Sequence, residues 1–137
     1  MARSRSRAVN ATGRTGKTER HVRLTHFMLG TAAWRSLDPV ARALFLEVMQ
    51  RFNGHNNGSI GLGVREAGDA LHVRPHRAGQ AFATLVDRGF LRMTKGSTSN
   101  QKRLRREWRV TCLPVGDYQA PTSRPTHDYV HWKPQDR

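Results

Sequence analysis

The chain has 137 residues, 36% of them hydrophobic, enough for one modest core. Lys and Arg number 24 against 10 Asp and Glu, a formal net charge of +14, so the expected partner is a polyanion. No apolar run approaches the ~18 residues of a membrane-spanning helix. Cys112 is the single cysteine, which excludes a disulfide scaffold, and the basic amino terminus lacks the apolar stretch of a secretory signal.

Residues 1–23 hold Arg3, Arg5, Arg7, Arg14, Lys17, Arg20 and Arg23 against the single acid Glu19, with almost no apolar content. Such a segment cannot bury enough surface to offset its ordering entropy. It is expected to be a disordered basic arm, serving DNA contact or solubility. Gly13-Arg14-Thr15-Gly16-Lys17-Thr18 looks like the end of a phosphate-binding loop, but that loop needs four residues between its glycines and a preceding strand. Here two residues separate the glycines and no strand precedes them. A nucleotide triphosphatase is not expected.

Folding is expected from Leu24, with a short irregular helical stretch around Phe27, Met28, Leu29 and Trp34. Ser36-Leu37-Asp38-Pro39 opens a clear helix, Asp38 as cap and Pro39 at the first position. Ala41, Leu44, Phe45, Val48, Met49 and Phe52 follow as one helical stripe. Asn53 to Gly58 is rich in residues that tolerate positive φ and ends it. Residues 59–62 read as a short strand with Ile60 and Leu62 inward. A second helix, about 64–71, carries Val64, Ala67, Ala70 and Leu71 on one side. His72-Val73-Arg74 is a tight connection to a third helix starting at Pro75, with Ala78, Ala81, Phe82, Leu85 and Val86 inward and Gly89 at its C-terminal cap.

Two strands follow. In 90–94, Leu91 and Met93 share a face; in 107–112, Trp108, Val110 and Cys112 do. Between them runs a basic loop from Lys95 to Arg106. Residues 113–127 read as a linker, and Tyr129, Val130 and Trp132 form an apolar cluster near the end. That cluster either folds back over the helical core near Trp34 or docks a partner protein through Trp132.

The order helix, short strand, helix, tight turn, helix, hairpin resembles the winged helix-turn-helix family. Val64-Arg65-Glu66-Ala67 through Ala70-Leu71-His72-Val73, then Arg74 to Leu85, then the RGFLRM phrase at 88–93 carry the likeness, over roughly residues 36–112. Trp34-Arg35-Ser36-Leu37, Ala41-Arg42-Ala43-Leu44 and Asn53 to Leu62 are similar to small winged-helix proteins of bacterial plasmids, phages and integrative elements, some of them like replication initiators. The resemblance implies an α+β winged helix-turn-helix: a three-helix core, a small antiparallel sheet and a basic wing, spanning 24–112. Residues 1–23 and 113–137 would flank it as disordered tails. It departs from the family where His72 replaces a turn glycine and Arg74 replaces a Ser cap.

The family places the third helix, 75–88, in the major groove, where residues near its N-terminus reach base edges. His76, Arg77, Gln80 and Thr84 are the base-contacting candidates, Arg77 suited to guanine and Gln80 to adenine. Arg74, Arg88, Lys95, Lys102, Arg103, Arg105 and Arg106 are candidates for the DNA backbone or minor groove. Arg3, Arg5, Arg7, Arg14 and Lys17 would form the arm contact. His72 with His76, and His127 with His131, do not complete a set of metal ligands. No paired carboxylates and no nucleophile with a base are present, so neither an enzyme nor a cofactor is expected. The expected function is sequence-specific binding of double-stranded DNA, as a transcriptional regulator. The alternatives are a replication or recombination factor of a mobile element, or a charge-driven RNA- or nucleoid-binding protein. Few aromatics lie outside core positions, which weighs against RNA. A cytoplasmic, nucleoid-associated location and no membrane partner are expected. A homodimer on palindromic DNA is one option, although no heptad seam marks an interface.

Overall fold

The computed structural model describes residues 19–96, 105–117 and 120–135. The architecture is α+β. Two four-residue helices, α1 (His26–Leu29) and α2 (Ala32–Arg35), lead into α3 (Pro39–Arg51). Strand β1 (Ile60–Gly61), α4 (Val64–Leu71), α5 (Pro75–Asp87), β2 (Leu91–Lys95) and β3 (Glu107–Val110) follow. No helix among the described residues is long and apolar enough to cross a membrane.

Helices α1, α2 and α3 each start at a residue whose side chain accepts from a first-turn amide, Thr25, Thr31 and Asp38 respectively. Asp38 Oδ1 accepts from Ala41 N at 2.9 Å, with Pro39 at the first helical position of α3. The stripe Ala41, Leu44, Phe45, Val48 and Met49 is buried, and Phe52 caps the helix half-buried. Asn53 and Asn56 then knot the turn: Asn53 Oδ1 accepts from His55 N and Asn56 N, and Asn56 Nδ2 donates to Arg51 O. At its C-terminus α5 closes with Gly89 at φ 86°, Phe90 N donating to Leu85 O at 2.9 Å and Gly89 N to Val86 O at 3.1 Å. These are the paired bonds of a Schellman cap.

The sheet has the order β1-β3-β2, antiparallel throughout. Leu91 pairs with Val110 and Met93 with Trp108, with a register shift before Lys95. Trp108 lies at the centre of the core, stacked on Phe82 at 4.4 Å and donating Nε1–H to Leu62 O at 2.9 Å. Asn57 is the polar pin: Oδ1 accepts from Val110 N at 2.7 Å, and Nδ2 donates toward the carbonyls of Val110, Leu113 and Pro114. A buried amide is stable there because its hydrogen-bonding groups are matched.

Several expectations are corrected. Ala70 is exposed, and Gly68 occupies the inward position on α4 instead. Val86 is 41% exposed, because it lies at the edge of the α5 stripe rather than in it. Met93 is exposed, since β2 leaves the core after Leu91. Strand β3 ends at Val110, and Cys112 is half-buried against the core.

The segment 113–127 is not a linker. It holds a hairpin of β4 (Val115–Asp117) and β5 (Ala120–Ser123), antiparallel, with Gly116 at φ 87°. Beyond it, Asp128–His131 forms a 3₁₀ turn that packs on α2. Tyr129 is buried and stacks on Phe90 at 4.9 Å, and Phe90 meets Trp34 edge-on at 5.8 Å. The tail therefore folds back near Trp34, with Val130 left exposed. Arg20, expected in the arm, donates Nη2–H to Phe52 O at 3.1 Å.

Candidate nucleic-acid interface

Two helices and a tight turn build the face on which the base-contacting candidates stand. The turn exists because α4 carries glycine at 68. A Cβ there would lie 2.8 Å from Val73 O, so only a bare backbone lets the chain double back. Val73 N then donates to Gly68 O at 2.9 Å. His72 takes the left-handed conformation at φ 57°, ψ 41°, a region that glycine enters most easily. Arg74 N-caps α5 with an extended backbone and no side-chain cap bond, and Pro75 opens the helix. Arg74 thus supplies no acceptor to the first amides of α5, and it is itself exposed.

An α-helix turns about 100° per residue. With Ala78, Ala81, Phe82 and Leu85 buried, the opposite face of α5 carries His76, Gln80 and Ala83, all exposed. His76 and Gln80 therefore stand together, one turn apart, on the outward surface. Thr84 is half-buried at the flank, and its hydroxyl donates back to Gln80 O at 3.0 Å.

Arg77 is rotated toward α3 rather than outward. Its Nη2 donates to Asp38 Oδ2 at 2.9 Å. Asp38 thus serves two partners, capping α3 with one oxygen and holding α5 with the other. The Ala41 amide, and then the Arg77 guanidinium, keep its carboxyl below the ordinary aspartate value against the opposing effect of burial.

Arg88 is also engaged within the chain. Its Nε donates to Ser36 Oγ at 2.9 Å, its Nη1 pairs with Asp87, and its guanidinium lies 4.7 Å from the centroid of the Trp132 ring. Only 25% of its side chain is exposed. Arg92 on β2 donates Nε–H to Asp128 Oδ2 at 2.7 Å.

At the base of the β2–β3 loop, Arg105 folds onto α4. Its Nε and Nη2 reach the two carboxylate oxygens of Glu66 at 3.0 and 2.7 Å, a forked pair. Arg51 donates to the same carboxylate at 3.0 Å. The Arg105 hydrogen bond leads the causes that hold Glu66 below the ordinary glutamate value. Glu66 therefore ties α3, α4 and the loop base together. Arg106 is half-buried, its carbonyl accepting from Leu62 N at 3.0 Å. Lys95 is exposed at the end of β2, opposite Glu107.

Arg74, His76, Gln80 and Lys95 are thus presented to solvent, with Thr84 at the flank, whereas Arg77, Arg88 and Arg105 hold the fold. Lys102 and Arg103 in the loop, and Arg3, Arg5, Arg7, Arg14 and Lys17 in the arm, lie outside the described residues. Sequence reasoning read Asp38 only as a cap and missed the ion pairs Asp38–Arg77, Glu66–Arg105 and Asp128–Arg92, each of which joins residues 36 or more apart in the chain. It also passed over Arg65, exposed in the first turn of α4. Among the described residues no group of three His, Cys, Asp or Glu side chains is placed to hold a metal ion.

No protein-family model matches the chain, no curated protein matches it, and no solved structure matches it.

Proposed function

We propose that the chain is a winged helix-turn-helix protein that binds double-stranded DNA sequence-specifically and acts as a transcriptional regulator. In this reading α4 and α5 are the helix-turn-helix, α5 is the recognition helix in the major groove, and the β2–β3 loop is the wing. The observation that carries it is the outward face of α5. His76 and Gln80 project together from its N-terminal half, beside an uncapped helix start and the exposed Arg74. A helix entering a major groove reads bases with its N-terminal residues.

The chemistry of the face fits this use. Gln80 can bond the N6 and N7 edge of adenine, and His76 can reach an adjacent base edge or phosphate. Arg74 and Lys95, with Lys102 and Arg103 in the loop, supply cations for phosphates. The net charge of +14 favours long-range attraction to the duplex. Arg77 positions α5 through Asp38 instead of reading a base.

Selection of bound sequences from random duplex DNA tests the reading. A recovered motif of a few base pairs, lost when His76 and Gln80 are both alanine, supports it. Recovery of duplexes with no common motif would leave charge-driven binding as the better description and defeat sequence specificity.

A further inference from the structure

A cleft of about 770 Å³ opens between residues 21–25, α1, the C-terminal end of α3 and the segment after β3. Cavities that take small organic ligands span about 300–1,000 Å³ and are largely apolar with a few polar groups. Here Val22, Phe27, Met28, Met49, Phe52 and Leu113 supply apolar walls. Phe27 is 66% exposed, the most exposed large apolar side chain among the described residues. It is held there by a one-turn helix whose cap, Thr25 Oγ1, accepts from Met28 N at 3.1 Å. Uncovered apolar surface of this kind gains free energy when an apolar group covers it.

The polar groups of the lining are one-sided in charge. Arg23 is among them and is cationic at any accessible pH. His21 and His127 also line the cleft, and among the described residues no carboxylate side chain does. Cys112 and Tyr129 add no negative charge near neutrality. Burial pushes the Cys112 thiol up to about 12, and burial followed by the neighbouring Cys112 raises the Tyr129 hydroxyl. The Tyr129 hydroxyl lies 3.1 Å from His127 Nδ1. The chain's own amino terminus is a poor chemical match for the walls, because residues 1–18 are Arg-, Ser- and Thr-rich with Met1 and Val9 as their only larger apolar side chains.

We propose that this cleft binds a small amphipathic monoanion, an aliphatic or aromatic carboxylate whose hydrocarbon part covers Phe27 and Met49 and whose carboxylate pairs with Arg23. The site is separate from the α5 face and does not depend on DNA binding.

The four methionines of the chain provide the test. Met28 and Met49 line the cleft, and Met93 stands on β2 outside it. The full chain, labelled at the methionine methyl carbons, is titrated by NMR with octanoate, with octylammonium and with acetate. Octanoate is expected to shift Met28 and Met49 saturably and to leave Met93 in place. Acetate has the charge without the chain and octylammonium the chain with the opposite charge; each is expected to bind at least about tenfold more weakly. Arg23 is exposed, so Arg23→Glu leaves the fold intact. It is expected to weaken octanoate about tenfold, ~1.4 kcal/mol, and to favour octylammonium. Octanoate that moves every methyl alike, or none, overturns the proposal. So does Arg23→Glu binding octanoate as the wild type does. Equal binding of octylammonium would mark a general apolar surface, such as one that seats a second copy of the chain, and would overturn it too.

Discussion

Arg77 on α5 and Asp38 at the start of α3 form a 2.9 Å ion pair, so the first turn of the proposed recognition helix is anchored to the cap of its neighbour. Asp38→Ala removes both a cap and an anchor, and is expected to cost about 1–2 kcal/mol in a urea melt. Arg77→Ala removes a half-exposed pair alone and is expected to cost less than about 1 kcal/mol. If Arg77→Ala changed base preference while leaving stability intact, Arg77 would be a reader and not an anchor.

Three carboxylates, Asp38, Glu66 and Asp128, are held below their ordinary values of 3.8, 4.5 and 3.8. Amide and guanidinium hydrogen bonds lower Asp38 and Glu66. At Asp128 burial is the largest influence and acts upward, outweighed by the hydrogen bonds from Thr126 and Arg92 together with nearby charge. A group depressed on folding adds stability above its unfolded pKa, and that stability is lost as pH falls through the folded pKa. The contribution of these groups is therefore constant from pH 7 to 5 and declines below about pH 4. A combined Asp38→Asn, Glu66→Gln, Asp128→Asn variant should show a shallower acid limb in pH-dependent melts. An acid limb as steep as that of the wild type would mean that other groups carry it.

The interhelical turn rests on Gly68 and His72. Gly68→Ala places a methyl 2.8 Å from Val73 O and is expected to destabilise by about 1–3 kcal/mol, the range for forced overpacking. His72→Gly relieves a left-handed non-glycine residue and is expected to stabilise by a few tenths to about 1 kcal/mol. Thermal melts of the two variants should move in opposite directions.

The carboxy-terminal turn is part of the fold. Tyr129→Ala removes a ring stacked on Phe90 and opens a cavity, with an expected cost of about 3 kcal/mol. Trp132→Ala removes a half-exposed ring over Arg88 and is expected to cost about 1 kcal/mol. Deletion of 126–137 should lower Tm by more than either. Unchanged stability on deletion would mean that the turn is not docked in solution.

Much of the helical core was legible because its signals are local. Asp38-Pro39 marks a helix start, and Ala41 to Met49 repeats at helical spacing. Pro75 and Gly89 bracket α5 within a residue. The β4–β5 hairpin was not legible, since β5 reads Ala-Pro-Thr-Ser with every residue exposed and has no inward alternation. The pairing of Arg77, Arg88 and Arg105 was hidden for another reason. Composition marks an arginine as a candidate for phosphate, but only the tertiary fold brings Asp38, Ser36 or Glu66 within reach of it. Ala70 and Val86 show the limit of periodicity, for a residue at the edge of a stripe is buried or exposed according to its neighbour's position.

The most direct measurement of the central proposal compares wild type and Gln80→Ala on two duplexes at one salt concentration, the selected motif and a scrambled version of it. Gln80 is exposed on the outward face of α5, so its removal leaves the core untouched. The expected result is a loss of about 1–3 kcal/mol on the motif and none on the scrambled duplex. A variant that discriminates between the two as the wild type does would contradict the placement of the α5 outward face against the bases.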